Sequence, residues 1–427
     1  MGAGDLLEKN KIEIDDFELC PCGSGKNYGD CCKKKRFTFK RTKDYEIIKE
    51  VPISEETVKE LQKVNNIFEY YYGRKIRGDE LVFTGCPNYR NIHTNYFINV
   101  FRKVGIEESM IYAFYKTGLL PSEENLDLIS DNELVEYSMY CDEFENLMSD
   151  ENTLNGKMNS VRFVILSNNY LSNKIEFFYS SLSFVLNDFI SRHKKEDFSQ
   201  NYKIKNEQDY LVFLSIKAVL TMDGAMKLKE EYMPETIYSL SRSLFENYLY
   251  LCNINNDNSF FKKQVLPKLD TDNFKFAKYK NGKTNYNKVI YKKTGEIRTI
   301  KDSIFDLTKI LCKEEDKEIY DVFYREASRY VHTDILSAEK YFSNYDPYDE
   351  INPTYSAILV LFALCFIMLE ELINNKEIME SFKKDGKHYL IKVSDELNSC
   401  FDIINQDLQN YNVLNHIFSK RIMLICK

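Results

Sequence analysis

The sequence predicts an all-α protein: a multi-helix bundle with a small cysteine-rich module near its N terminus and an inserted β-hairpin. Three observations predict this fold class. Apolar residues recur at helical spacing in long segments from about residue 160 onward. Four of the eleven cysteines lie within the seventeen residues Cys20–Arg36. One basic segment, 262–301, contains a turn sequence between β-prone stretches.

Composition restricts the class of protein. The chain has 427 residues, of which 44% are apolar, so two or three domains with buried cores are expected. Its 58 basic and 66 acidic residues give a net charge of −8. Such a chain is not a polycation that coats nucleic acid indiscriminately, so any nucleic-acid surface must be local.

We expect a cytoplasmic protein with no membrane segment. The first residues, MGAGDLLEKNKIEIDD, lack a basic start followed by an apolar run, and Leu6 stands where a myristoylation signal needs Ser or Thr. The longest apolar run, Ala357–Leu369, has thirteen residues, whereas a bilayer requires about twenty. This run is predicted to be the central core helix.

Changes in composition predict five regions. They are a tail (1–18), the cysteine-rich module (19–36), a basic linker with β propensity (37–52), an N-terminal helical region (53–157) and a helical bundle (158–427) with the basic insertion 262–301. The N-terminal helical region begins at Ser54, a capping residue. Between Glu107 and Glu151 it has thirteen acidic residues and one basic residue, which predicts either an acidic lobe or a solvated helical surface.

The bundle region contains segments longer than ordinary globular helices. By apolar spacing they are Val161–Arg192, Glu207–Lys229, Pro234–Ile254, Asp302–Thr333, Asn352–Asn375 and Lys387 to the end. Helices of this length, joined by short polar turns, pack most simply as a bundle.

The insertion 262–301 is strongly basic. It has twelve basic and three acidic residues, interleaved with the rings of Phe274, Phe276, Tyr279, Tyr286 and Tyr291. Within VIYKKTGEIRTI, the residues Lys293-Thr294-Gly295 predict a hairpin turn. Lysines can contact phosphates and rings can stack on bases, so the hairpin is a candidate surface for single-stranded nucleic acid such as RNA. The alternative is a solubilising surface loop.

The clustered cysteines have the composition of a metal site, with Cys20, Cys22, Cys31 and Cys32 as ligands. The other seven cysteines are scattered through apolar or helical surroundings, as reduced core residues are. Structural zinc takes four tetrahedral ligands and favours thiolates, and Gly23 and Gly25 permit a tight turn around an ion. Four protein ligands leave no open position, so such a zinc is structural. The alternative is an unmetallated redox cluster or accidental thiols.

The stretch CPCGSGKNYGDCC closely resembles the SEC-C motif, a zinc knuckle found in many bacterial proteins. The cysteine spacing, the CGSGK core, Tyr28 and the closing cysteine pair all agree. The resemblance implies zinc on the four cysteines and docking to a protein or ribosomal partner rather than catalysis. The neighbouring cations would offer the knuckle to RNA on a ribosome or to an acidic protein face; they are Lys26, Lys33, Lys34, Lys35 and Arg36.

Polar residues at helical spacing mark a second candidate site. By four- and seven-residue spacing, one face of the helix in DVFYREASRYVHTD is predicted to contain Tyr324, Arg325, Ser328 and His332. Arg242 and Glu246 stand four apart in SLSRSLFENYLYL. They are predicted either to form a buried pair that fixes helix register or to complete a site whose base is His332.

Two further resemblances concern the helical regions. IYAFYKTGLLPSEEN, RSLFE and FYREASRYVHTD look like an uncharacterised bacterial helical family that is often fused to SEC-C motifs. Arg325 followed after six residues by His332 is similar to the signature of HEPN ribonucleases, although Glu326 departs from the Asn, Asp or His favoured there. This similarity implies metal-independent RNA cleavage, usually across a homodimer, with His332 as general base, Arg325 stabilising the phosphorane, and Ser328 or Tyr324 orienting the phosphate.

Two functions from different classes follow. The first is a zinc-tethered effector that binds or cleaves RNA, in bacterial stress or antiphage defence. The second is a non-catalytic adaptor that docks to a protein or ribosomal partner through its zinc knuckle, with the polar stripe in a structural role.

Overall fold

The structure is a computed structural model that describes residues 11–42, 45–52, 54–75, 92–149, 160–193, 204–229, 232–300, 303–311, 313–331, 345–406 and 413–425. The chain divides into two compact units, residues 1–159 and 160–427. Helices dominate both units, and strands within the described residues form two small three-stranded sheets. The predicted all-α fold class is confirmed.

The first unit begins with an antiparallel sheet. Its strands are β1 (Ile12–Glu13), β2 (Thr38–Arg41) and β3 (Ile47–Glu50), in the order β1-β2-β3. The cysteine-rich module lies between β1 and β2 and contains two short 3-10 helices, Tyr28–Asp30 and Cys32–Lys34. Residues 37–52, expected to be a linker, form β2 and β3, because Phe37 and Phe39 pack on the module.

Helices follow the sheet, and the first begins one residue after the predicted start at Ser54. In the described part of the first unit they are α1 (Glu55–Tyr72), α2 (Ile92–Lys103), α3 (Glu108–Thr117) and α4 (Asp131–Ser149). Helix α3 ends at Gly118, whose left-handed conformation (φ 72°) is accessible because glycine has no Cβ. Helices α3 and α4 pack together through Tyr112 and Phe144, whose ring centroids lie 5.4 Å apart.

The second unit is the predicted helical bundle. Its helices are α5 (Ser160–His193), α6 (Glu207–Lys227), α7 (Pro234–Asn256), α8 (Leu266–Leu269), α9 (Ile304–Thr308), α10 (Glu314–Glu318), α11 (Arg325–Val331), α12 (Pro353–Asn374), α13 (Glu380–Gln406) and α14 (Val413–Met423). The boundaries of α5, α6, α7 and α12 lie within about two residues of those predicted from apolar spacing.

Helix α12 forms the core of this unit. Every residue of Ala357–Leu369 is at most 1% exposed, and α12 packs against α5, α6, α7, α13 and α14. A helix that is apolar all round needs such burial on every side. Among the described residues, α12 is the one helix long and apolar enough to cross a membrane, and 89% of its apolar window is buried inside the protein. Core helices of soluble proteins have this character.

Two helical predictions were wrong in extent. The segment Asp302–Thr333 is not one helix, because it contains α9, α10, a π-helical stretch (Ile319–Tyr324) and α11. The C-terminal segment divides into α13 and α14, and α13 starts at Glu380 rather than Lys387. Apolar spacing assumes a constant rotation per residue, and a π-helical stretch breaks that assumption.

The basic insertion forms a three-stranded sheet rather than a two-stranded hairpin. A π-helical stretch (Phe261–Val265) and α8 precede the strands β4 (Phe274–Lys278), β5 (Thr284–Tyr291) and β6 (Ile297–Thr299), which pair in the order β4-β5-β6. The predicted turn joins β5 to β6: Gly295 has a φ of 73°, and its amide donates to the Tyr291 carbonyl at 2.8 Å.

Candidate functional site

The four clustered cysteines come together in space. Their sulfur atoms all lie within 4.8 Å of one another, with 3.6 Å between Cys22 Sγ and Cys31 Sγ and 3.8 Å between the sulfurs of Cys31 and Cys32. Four sulfurs at about 2.3 Å from a tetrahedral zinc are about 3.8 Å apart. The thiols are unbridged, so their spacing fits a four-coordinate metal ion rather than disulfides.

The scattered cysteines behave differently. Cys252, Cys365 and Cys400 are buried and unbridged, as predicted for reduced core residues, and Cys141 is partly exposed. Cys86, Cys312 and Cys426 lie outside the described residues. The metal-ligating arrangement found in the described chain is therefore the one near the N terminus.

Backbone turns place the first pair of cysteines. Gly23 and Gly25 have φ values of 82° and 73°, a region that glycine enters without strain. The Cys20 amide donates to the Lys26 carbonyl at 2.8 Å, and the Gly23 amide donates to the Cys20 carbonyl at 3.1 Å. These bonds close the loop that carries Cys20 and Cys22 around the cluster.

A small apolar core supports the cluster. Ile14, Tyr28 and Phe37 are each 5% exposed or less, and Phe37 meets the Phe39 ring edge-on at 5.4 Å. The Phe39 amide donates to the Tyr28 hydroxyl at 3.2 Å. Sequence reasoning missed Ile14 and Phe37, although apolar residues on both sides of the cysteines were a signal for them.

The thiols of the cluster influence each other's ionisation. Burial raises the pKa of Cys20, and burial together with neighbouring thiolates raises the pKa of Cys32. Burial acts in the same direction on Cys22, but hydrogen bonds from Ser24 and the neighbouring cysteines outweigh it and lower the pKa to about 7. Four thiolates this close repel one another, so their joint ionisation requires a cation among them.

The residues predicted as catalytic separate into groups in the second unit. Arg242 Nη2 donates to the Tyr324 hydroxyl at 2.8 Å, and that hydroxyl donates to Glu246 Oε1 at 3.0 Å. Arg242 also pairs with Glu246 at 3.3 Å and lies 4.9 Å from the centre of the Tyr324 ring. Burial raises the pKa of Tyr324, so the phenol keeps its proton. These three side chains join α7 to the π-helical stretch Ile319–Tyr324, and Arg242 and Glu246 are partly exposed rather than buried.

Arg325 and Ser328 do not join this group. Arg325 is 69% exposed in its side chain and pairs with Asp321 at 3.3 Å. The Ser328 hydroxyl donates to the Tyr324 carbonyl at 2.6 Å, four residues earlier in the chain. The single face predicted for Tyr324 and Arg325 is not observed, because Tyr324 ends a π-helical stretch and turns inward to 9% exposure. His332 lies outside the described residues.

Two families match parts of the chain. Residues 18–34 match the SEC-C motif. The match includes all four clustered cysteines, and the motif and the cluster together suggest metal binding. A family of unknown function (DUF5677) matches residues 208–350, which include RSLFE and FYREASRYVHTD but not IYAFYKTGLLPSEEN. No curated protein and no solved structure matches the chain.

The cysteine-rich module 19–36, called the SEC-C module below, has cations that pair with carboxylates of the same unit. The pairs are Lys26–Asp131 (3.4 Å), Lys35–Asp131 (3.2 Å), Arg36–Asp127 (3.3 Å), Lys34–Asp30 (3.4 Å) and Lys33–Asp16. Lys35 and Lys26 hold the pKa of Asp131 below its usual value. Ion pairs at an exposed surface contribute little to stability, because water and salt screen them. The two pairs with Asp131 connect the module to the first turn of α4. An external anion must compete with these carboxylates.

Large apolar side chains are exposed in the SEC-C module and in the residues just before it. Phe17 is 85% exposed, Leu19 is 71% exposed and Ile12 is 56% exposed. Phe17 borders a groove that Phe39 also lines. Large exposed apolar side chains are candidates for contact with a protein partner. Charged residues also line the groove, among them Asp16, Lys33 and Lys40.

Proposed function

We propose that this protein is a non-catalytic adaptor whose SEC-C module is folded by one zinc ion and docks to a protein or ribosomal partner. The observation that carries the proposal is the set of four sulfurs within 4.8 Å beside the exposed side chains of Phe17 and Leu19. Four thiolates complete a tetrahedral shell and leave no position for a substrate. Zinc then supplies folding free energy, on the order of 10 kcal/mol for small zinc peptides.

The polar residues of the second unit support a structural role there. Arg242, Glu246 and Tyr324 bond to one another, and Arg325 pairs with Asp321 instead of joining them. A site that stabilises a phosphorane requires an arginine beside the general base and the phosphate. We place the adaptor in the cytoplasm, since a reducing compartment keeps clustered thiols available for zinc.

The metal is tested by elemental analysis of the purified chain. We expect one zinc per chain, and we expect Cys32→Ser to lose it because a serine hydroxyl does not replace a buried thiolate. Cys141→Ser is the matched control, since Cys141 lies in α4 outside the cluster, and it should keep the zinc. Protein with four reduced thiols and no zinc would contradict the proposal.

Docking is tested by co-sedimentation with ribosomes. Wild-type protein should pellet with ribosomes, and Phe17→Ser with Leu19→Ser should remain in the supernatant while its zinc content is unchanged. The matched control replaces two other exposed apolar residues, Leu220 (63%) and Phe305 (64%) of the second unit, with serine. Equal sedimentation of both double variants excludes the Phe17–Leu19 surface, and failure of wild type to pellet leaves a protein partner.

The competing function is an RNA-cleaving effector, acting as a homodimer in bacterial stress or antiphage defence. It assigns His332 as the base and Arg325 as the phosphorane ligand. The test incubates wild type, His332→Ala and Arg325→Ala with single-stranded RNA in the presence of a chelator of divalent ions. Cleavage by wild type that both variants lose would replace the adaptor with this effector. RNA that stays intact supports the adaptor.

A further inference from the structure

We propose that the sheet β4-β5-β6 of the second unit binds single-stranded RNA through its lysines and two exposed tyrosines. This sheet belongs to a different unit from the SEC-C module, so the inference goes beyond zinc-dependent docking. It concerns binding alone and does not depend on RNA cleavage. Three features carry it: unneutralised charge, a bulge that projects a ring, and a second exposed ring at the neighbouring turn.

The charge of this sheet is concentrated and of one sign. Residues 273–300 contain eight basic residues and one acidic residue, in a chain whose net charge is −8. The acidic residue, Glu296, is bound by Arg298 at 3.0 Å. The exposed lysines are Lys275, Lys278, Lys280, Lys283, Lys288, Lys292 and Lys293. A polyanion with closely spaced phosphates complements such a surface.

These lysines differ from those of the SEC-C module. Each SEC-C cation pairs with a carboxylate of its own unit, as described above. Among the residues that the structure describes, no carboxylate forms an ion pair with Lys275, Lys278, Lys280, Lys283, Lys288 or Lys293. A phosphate approaching the sheet therefore displaces counterions rather than internal carboxylates.

A bulge in β5 projects an aromatic ring from the sheet. Phe276 pairs with Val289 and Ala277 pairs with Asn285, so the three residues between, 286–288, have no partner on β4. All three are exposed, and Tyr286 is 66% exposed. Its ring meets Phe276 edge-on at 5.2 Å, which orients it while leaving a face open. Bulges commonly redirect side chains next to functional sites.

A second ring stands at the turn between β4 and β5. Tyr279 is 51% exposed, and its amide donates to the Lys283 carbonyl at 2.8 Å. Lysines flank it on both sides, at 278 and 280. Two exposed rings set among lysines match the requirement of a single strand, whose unpaired bases stack on rings while its phosphates meet the charges.

The same residues favour RNA over other anions. An acidic protein offers charges but no bases for the rings, and a duplex keeps the faces of its bases stacked inside. Thr284 and Asn287 are exposed next to Tyr286, and their side chains can hydrogen-bond the 2′-hydroxyl that DNA lacks. On the inner side, Val289 and Ala277 are at most 7% exposed, so the surface is anchored to the unit and held in shape.

The test measures anisotropy of a labelled oligouridylate of about 20 nucleotides with the full-length, zinc-loaded protein, at about 50 and about 200 mM salt. Tyr279→Ala with Tyr286→Ala should weaken binding by at least about tenfold, because each stacked base contributes about 1 to 3 kcal/mol. Lys275→Gln with Lys283→Gln and Lys288→Gln should lower the salt slope by about two. Circular dichroism confirms that the variants are folded.

The matched control removes the same charge from the same unit. Lys384, Lys387 and Lys392 are exposed on α13, and their joint replacement with glutamine should leave affinity and slope unchanged. An equal loss of RNA affinity and salt slope in this control would overturn the proposal. Binding of single-stranded DNA of the same sequence, or of duplex RNA, with the same affinity as the oligouridylate would also overturn it. So would polyglutamate that competes as well as RNA does. Cys32→Ser, which removes the zinc ligand, should bind the RNA as wild type does. RNA binding and zinc docking can therefore fail independently.

Discussion

Among individual residues, Arg421 is a buried charge of the second unit that requires charged partners. Its side chain is 0% exposed, and its Nε donates to Asp316 Oδ1 at 2.6 Å. Its Nη2 donates to Glu370, while the Tyr248 hydroxyl donates to Asp316 Oδ2 at 2.6 Å. This network joins α7, α10, α12 and α14. Because a buried charge without its partner is far less stable than the same charge in water, the network stabilises the fold only when complete.

Replacing Arg421 with methionine tests how much the buried network stabilises the fold. We expect Arg421→Met to lower the free energy of unfolding by about 3 kcal/mol or more, since it leaves Asp316 and Glu370 with reduced compensation. The control is Lys420→Gln, one residue away, where a 43% exposed lysine pairs with Glu318 at 3.3 Å. Its effect should stay below about 1 kcal/mol. Urea denaturation measures both, and equal effects would refute the role of burial.

The lowered pKa of Glu370 predicts that the stability of the fold depends on pH. Burial alone would raise its pKa, but Arg421 and Lys313 outweigh burial and hold the pKa below its usual value. A depressed pKa means that the unfolded chain takes up the proton first as the pH falls. The stability that ionised Glu370 contributes is complete above the pKa of glutamate in the unfolded chain, about 4.3. This stability is lost as the pH falls through the pKa of Glu370 in the folded protein. The stability difference between wild type and Glu370→Gln should therefore narrow from pH 7 toward acid.

The next residue in α12 provides the control for this pH prediction. Burial raises the pKa of Glu371, so the folded protein binds this proton more tightly than the unfolded chain does. Stability relative to Glu371→Gln should then fall as the pH rises, the opposite trend to that of Glu370. Denaturation curves across the pH range distinguish the two signs. Parallel curves for both variants would show that neither pKa differs between the folded and unfolded chain.

Among the elements, α12 and α6 differ in how much of their apolar side-chain surface is buried. Helix α12 is surrounded by other helices, and its Leu361 is 0% exposed, whereas Leu220 on α6 is 63% exposed. We expect Leu361→Ala to cost about 2 to 5 kcal/mol, because it removes buried methyl groups and leaves a cavity. Leu220→Ala should change stability by less than about 0.5 kcal/mol. Thermal and urea unfolding of the two variants measure the difference.

The helices and strands also show which elements apolar spacing in the sequence can predict. Apolar spacing predicted α5, α6, α7 and α12, because long, regular helices bury one continuous stripe or, for α12, every side. It failed between residues 302 and 333, where the π-helical stretch Ile319–Tyr324 changes the rotation per residue. It also missed β4, whose rings and lysines had been noted for composition alone, because β4 becomes a strand by pairing with β5.

At the scale of the whole molecule, the two units should depend on metal differently. The SEC-C module has a core of a few residues around its thiols, whereas the second unit has the extended core around α12. Removing the metal with a chelator should increase hydrogen exchange across residues 18–42 by orders of magnitude while α12 and α13 remain protected. Cys141→Ser should exchange like wild type. Protection of the module that persists without metal would contradict metal-dependent folding.

Features that depend on neighbours along the chain follow from the amino-acid order. The spacing from Cys20 to Cys32 predicts the thiol cluster, the run Ala357–Leu369 predicts the core helix, and the basic segment predicts the turn at Gly295. The partners of the polar residues depend on how the helices pack. Arg242 meets Tyr324 across 82 positions and Arg421 meets Asp316 across 105. Such pairs form because helix packing places polar side chains from distant positions beside one another, and no local pattern specifies that packing.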